Sequence, residues 1–134
     1  MRIRREVVDA IVDHARADAP IECCGLLIGS PDLVDESFAV TNIRRSPVAF
    51  EVDPAGHFAA IRRARATHRS VVGAYHSHPR SAAVPSPTDV RDANDPDFLH
   101  LIVSLAGPEP AVRGYRIREG EVSEVMLTVV SGAY

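Results

Sequence analysis

The chain has 134 residues, 46% of them hydrophobic and 25% charged, which is the length and apolar content of one globular domain with a substantial core. A formal charge of -3 leaves no general basic footprint for nucleic acid or an anionic membrane surface, and no apolar run approaches the roughly 18 residues that a membrane span needs. These bounds predict a soluble cytoplasmic protein, one domain over residues 1–134, with neither nucleic acid nor membrane as partner.

Val7, Val8, Ile11, Val12 and Ala15 form an apolar stripe at helical spacing, so residues 5–18 are predicted as a helix that Pro20 ends. Residues 22–29, ECCGLLIG, read as a buried strand, followed by the turn GSPD and a second strand near 35–43. A third short strand, VAFEV at 48–52, runs into Asp53-Pro54. Asp as N-cap and Pro at the first helical position open a helix from 54 to about 68. Phe58, Ile61 and Ala64 lie on one side of it, with Arg62, Arg63 and Arg65 largely on the other. A charged helix face is ordinarily solvated, and the basic stretch from Arg62 to Arg69 is read that way.

Residues 71–75 (VVGAY) and 99–105 (LHLIVSL) are nearly continuous apolar runs, the pattern of central strands covered on both faces. Strands near 111–118 and 121–130, joined at Glu119-Gly120, make a C-terminal hairpin. The predicted architecture is an α/β domain with a mixed central sheet, two principal helices and a short third helix after Ser86. The two cysteines, Cys23 and Cys24, are adjacent, so neither a disulfide framework nor a CxxC redox motif is available. They read as small buried packing residues.

The stretch GAYHSHPRSAAVPSPTDV, residues 73–90, carries the chemistry. On a strand over 71–77, His76 and His78 project to the same side, close enough to share one ion. Neutral imidazole suits zinc, whose catalytic sites keep three protein ligands and an open fourth position. Asp89 is the candidate third ligand, because a short helix starting at Ser86 carries it back toward the strand end. A plainer reading competes: Ser86-Pro87-Thr88-Asp89 is also a good helix start, and an isolated His-x-His is more often structural than ligating. The co-occurrence of the two at a fixed distance favours the metal. His14, His57, His68 and His100 have no partner spacing and receive no role.

His76-x-His78-Pro79, with seven residues between His78 and Ser86, then Ser86-x-x-Asp89 and an upstream Glu22, resembles the JAMM/MPN+ zinc metalloproteases and isopeptidases. The similarity extends to the N-terminal helix, the Glu-bearing strand, the Asp-Pro helix start and the Gly-x-Tyr before His76. It implies a cytidine-deaminase-like α/β fold. It implies one zinc held by His76, His78 and Asp89, Glu22 as general base and then acid, and Ser86 as an oxyanion donor. The small prokaryotic members that the chain looks like act on ubiquitin-like or sulfur-carrier proteins ending in Gly-Gly, which makes such a carrier the expected partner. Rival readings are a general small-peptide metallopeptidase, a non-catalytic MPN scaffold, and a His₂-carboxylate iron protein. A zinc deaminase would need His-x-Glu and Pro-Cys-x-x-Cys, and the chain has neither.

Overall fold

In the computed structural model, which describes residues 1–131, the chain opens with a strand that periodicity does not reveal: β1 (Arg2–Arg4). It runs directly into α1 (Arg5–Asp18), whose Val7, Ile11 and Ala15 are buried as the apolar stripe requires. The strands β2 (Cys24–Ser30) and β3 (Leu33–Val40) follow as an antiparallel pair. A loop then reaches α2 (Pro54–Ala66), capped by the Asp53 carboxylate on the Ala55 amide at 3.1 Å, with Pro54 at the first helical position. Next come β4 (Ser70–His78), the short α3 (Pro87–Asp92), β5 (Leu99–Ser104) and β6 (Ala111–Arg118). The described chain closes with β7 (Glu121–Val125) and β8 (Thr128–Val130).

These strands form one eight-stranded mixed sheet in the order β7-β6-β5-β4-β2-β3-β1-β8. The two strands at opposite ends of that order are separated in sequence only by Met126 and Leu127, so the sheet curls back on itself. The N-terminal ammonium donates to the Met126 carbonyl at 3.0 Å, and the Thr128 amide donates to the Met1 carbonyl at 2.9 Å. The core lies between α1 and one sheet face, where Ile3, Val7, Ile11 and Ala15 meet Cys23, Leu27, Tyr75, Leu99, Leu101 and Val103. The opposite face carries the even-numbered residues of β4. There Cys24 pairs with His76 on one side and Ile102 pairs with it on the other.

Several expectations are corrected. VAFEV is not a strand: it makes only the isolated bridge between Asn42 and Val52, and the rest of the segment is loop. The expected strand over 121–130 is two strands, the second leaving its hairpin to pair in parallel with β1. β3 starts and ends earlier than 35–43. In α2 the buried residues are Ala60 and Ala64, while Phe58 is 63% exposed. The helix sits too close to the sheet for a large side chain; a Cβ on Gly56 would stand 2.8 Å from the Val40 methyl. The arginine face is also only partly solvated. Arg63 pairs with Glu36 at 3.2 Å, and Arg69 pairs with Asp35 at 2.7 Å and Glu36 at 2.6 Å, tying this end of the molecule to β3.

Candidate metal centre

Strand alternation along β4 brings His76 and His78 to one face, both buried, with their Nε2 atoms 3.2 Å apart. Asp89 arrives from α3, and its Oδ2 lies 3.1 Å from each of those nitrogens. The start of α3 holds the carboxylate there. Ser86 Oγ accepts from the Asp89 amide at 3.0 Å, and the Ser86 amide donates to Asp89 Oδ2 at 2.9 Å, a closed capping box. Capping and ligation are therefore not alternatives for Asp89, because the cap is what aims the carboxylate at the histidines.

The donor set fits a tetrahedral divalent ion. Three ligands at about 2.0–2.1 Å from such an ion stand about 3.3–3.4 Å from one another, close to the triangle formed here. His78 Nδ1 lies 2.8 Å from the Ala82 carbonyl, which fixes the proton on Nδ1 and leaves the Nε2 lone pair facing the other two donors. Phe50 stacks on the His76 ring, with centroids 4.4 Å apart and planes 20° from parallel. Among the described residues, His76, His78 and Asp89 form the group of His, Cys, Asp or Glu side chains able to hold an ion. Cys23 and Cys24 lie outside it, and burial pushes their thiols up to about 11 and about 12, the protonated state of packing residues.

Electrostatics separate the three donors. Burial lowers the basicity of His76 against the opposing pull of Asp89. At His78 burial acts the same way, but hydrogen bonds to Asp89 and Ala82 outweigh it and raise the pKa. Burial would raise Asp89; its bonds to both histidines outweigh that and hold it well below the usual carboxylate range.

Glu22 precedes β2, close enough to His78 and Asp89 for their charges to act on its carboxyl. It is 4% exposed, and its Oε1 is buried with no hydrogen-bond partner. Burial raises its pKa from 4.5 to about 7, with His78 lowering it and Asp89 raising it further. A partnerless buried carboxylate oxygen beside a three-donor triangle is a poor structural element and a suitable proton carrier.

The model of prokaryotic homologs of the JAB domain matches residues 4–118, which spans all three donors and Glu22. The chain belongs to the prokaryotic JAB family. It is 37% identical over 131 residues to a CysO-cysteine peptidase of Mycobacterium tuberculosis, covering 96% of this chain and 90% of that one. It is 39% identical over 106 residues to a desampylase of Haloferax volcanii, covering 74% and 76%. A solved structure described as a JAMM metalloprotease-like zinc site in the proteasome and signalosome superposes with a TM-score of 0.64 at 27% identity, covering 98% of each chain.

The structure adds contributors to this JAB-family site that the sequence reading missed. Phe50 fell in a segment taken for a strand, and Asn42, which binds the Glu22 carbonyl, had no motif around it. Ser77 Oγ accepts from the Cys23 amide at 2.8 Å, pinning the residue after Glu22 to the histidine strand. His100 stands beside Ala74 in the register of β4 and β5, lining a cavity of about 480 Å³ shared with Phe50, His76 and Asp89. His14 packs on the other face, its Nδ1 2.7 Å from the Tyr75 hydroxyl, and takes no part in the site. Among the described residues no helix is long and apolar enough to cross a membrane.

Proposed function

We propose that this JAB-family chain is a zinc-dependent peptidase that hydrolyses the amide bond after the C-terminal Gly-Gly of a ubiquitin-like or sulfur-carrier protein. The observation that carries the reading is the near-equilateral triangle of His76 Nε2, His78 Nε2 and Asp89 Oδ2, with Glu22 close enough to feel the charges of His78 and Asp89 and its Oε1 buried without a partner. The names of the relatives, a CysO-cysteine peptidase and a desampylase, support the substrate class.

His76, His78 and Asp89 are the proposed ligands, and zinc, when bound, supplies Lewis acidity to a water and to the scissile carbonyl. Glu22 takes the proton of the attacking water and delivers it to the departing amine. In the metal-free chain burial raises its carboxyl above the ordinary carboxylate range, and that added basicity suits a group that must accept and release one proton per turnover. Ser86 Oγ already accepts from the Asp89 amide, which leaves its O–H free to donate to the oxygen of the scissile carbonyl as charge develops there. Gly-Gly fits such a centre because an extended tail without side chains can approach the buried donors by strand-like pairing.

Two observations bear on the rivals. Every proposed ligand and the base are present and oriented together, which weighs against a non-catalytic scaffold. The His₂-carboxylate donor set suits zinc and iron alike, so metal analysis of protein purified without added metal separates them. To test the substrate class, zinc-loaded protein is incubated with a sulfur carrier extended beyond Gly-Gly and, in parallel, with unrelated peptides of matched length. Cleavage of the carrier alone is expected; cleavage of peptides but not carriers would make the chain a general peptidase.

A further inference from the structure

The Asn42 side chain, 7% exposed, uses its whole hydrogen-bonding capacity. Its Nδ2 donates to the Glu22 carbonyl and to the Ala49 carbonyl, each at 3.0 Å. Its Oδ1 accepts from the Arg44 amide and the Glu51 amide, each at 3.0 Å. Two carbonyls and two amides as partners leave one orientation for the carboxamide. Ala49 and Glu51 flank Phe50, the residue stacked on His76. The same loop returns to Glu22 a second time, because the Glu22 amide donates to the Ser46 carbonyl at 2.9 Å. Both backbone polar groups of Glu22 are thus bound to residues 42–46, and the next residue, Cys23, is bound to Ser77 between the two histidines.

We infer that Asn42 is a positioning residue for catalysis, a clasp that fixes the Glu22 backbone and the Phe50 loop as one unit over the metal ligands. This rests on the peptidase reading. Glu22 lies just before β2, outside the strand ladder, and its side chain has no bond of its own on Oε1. Its placement relative to His76 and His78 is therefore set by its backbone, and the clasp supplies half of the bonds that hold that backbone. A base displaced by about 1 Å loses on the order of 100-fold in rate. Loop closure accounts for the two bonds that Oδ1 accepts and for the donation to Ala49; the donation to Glu22 links the loop to the base.

Asn42→Asp keeps the acceptor for Arg44 and Glu51 and abolishes both donations, to Glu22 and to Ala49, whereas Asn42→Ala removes all four bonds. The expected result for Asn42→Asp is a kcat per bound zinc lowered about 10–100-fold with KM within about threefold. In metal-free protein its Glu22 amide should exchange with solvent at least about tenfold faster, while the Arg44 and Glu51 amides stay protected. Added to Glu22→Gln, Asn42→Asp should cost less than about twofold more, because a residue that acts through the base has nothing left to position. A merely structural residue would give the same proportional loss in both backgrounds. Additive losses, a raised KM with kcat unchanged, or unaltered exchange at Glu22 would each overturn the inference. Failure of both Asn42→Asp and Asn42→Ala to fold with zinc would make Asn42 structural and overturn it as well. Inactivity of the unmutated zinc-loaded chain on every Gly-Gly carrier would instead remove the peptidase reading, and the clasp's catalytic role with it.

Discussion

His76 and His78, two residues apart on β4, place their Nε2 atoms 3.2 Å from each other and each 3.1 Å from Asp89 Oδ2. Three donors converging this closely in a buried pocket predict a metal that stabilises the fold. Alanine at His76 or His78 should reduce zinc per chain sharply, and a chelator should lower the Tm of the parent but not of either variant. At zinc a thousandfold above Kd the stabilisation is about 4 kcal/mol. Calorimetry with metal analysis checks this; full zinc in both alanine variants would end the metal-centre reading.

Asp89→Asn separates ligation from capping. An amide oxygen can still accept from the Ser86 amide, so α3 should persist, while the loss of charge weakens metal binding. Zinc content should fall with the circular dichroism spectrum unchanged. Zinc retained at full stoichiometry would assign Asp89 to the cap alone.

Ser86→Ala should have two effects measurable apart. Loss of the N-cap should cost about 1 kcal/mol of stability in denaturant titration. Loss of the hydroxyl donor should slow turnover by about 10–1000-fold with zinc retained. A variant with reduced stability and full turnover would confine Ser86 to the helix start.

The raised pKa of Glu22 makes a pH prediction with a definite sign. In the unfolded chain this carboxyl titrates near 4.5, and in the folded metal-free chain burial moves it to about 7. Between those values the folded state holds more protons, so the group's contribution to stability is present at low pH and is lost as pH rises through the window. Glu22→Gln removes that slope. Urea unfolding of metal-free protein should show the variant gaining on the parent between about pH 4.5 and about pH 7, then a constant advantage. A difference independent of pH would mean that the carboxylate is not buried as described.

Gly73→Ala tests the packing beneath the site. A Cβ there would lie 2.1 Å from the Leu99 carbonyl oxygen, where β4 and β5 pair in parallel, and backbone on both sides cannot yield as a side chain would. Destabilisation of at least about 1–3 kcal/mol is expected by thermal unfolding.

Much of this arrangement was legible in the sequence because the signals were local or strictly periodic. The stripe from Val7 to Ala15, the Asp53-Pro54 cap and the apolar runs of β4 and β5 each state their structure within a dozen residues. The donor triangle was legible because two histidines sit at strand spacing and the aspartate at a capped helix start. β1 and the break that sets β8 apart within 121–130 were missed for a physical reason: three residues, Arg2 to Arg4 and Thr128 to Val130, are too short to show a period of their own, and they pair only because the sheet curls the chain ends together. Phe50 was misplaced because VAFEV has strand propensity, whereas its Ala49 carbonyl and Glu51 amide are met by the Asn42 carboxamide in place of a ladder. Phe58 was assigned to the buried side by spacing alone, and the close approach of α2 to the sheet reserves that side for alanine. Asn42 itself carried no sequence signal, since its importance lies in partners up to 20 residues away that only the fold assembles.

The most direct test of the central claim is an intact-mass measurement on one substrate, a sulfur carrier bearing a single cysteine after its C-terminal Gly-Gly. It is incubated with the zinc-loaded chain, with the chelated chain and with zinc-loaded Glu22→Gln. The predicted result is loss of the cysteine mass with the zinc-loaded chain, no loss after chelation, recovery when zinc is restored, and no loss with Glu22→Gln despite full zinc. Release that survives chelation, or that proceeds at the parental rate in Glu22→Gln, would contradict a metal-dependent hydrolysis in which Glu22 moves the proton.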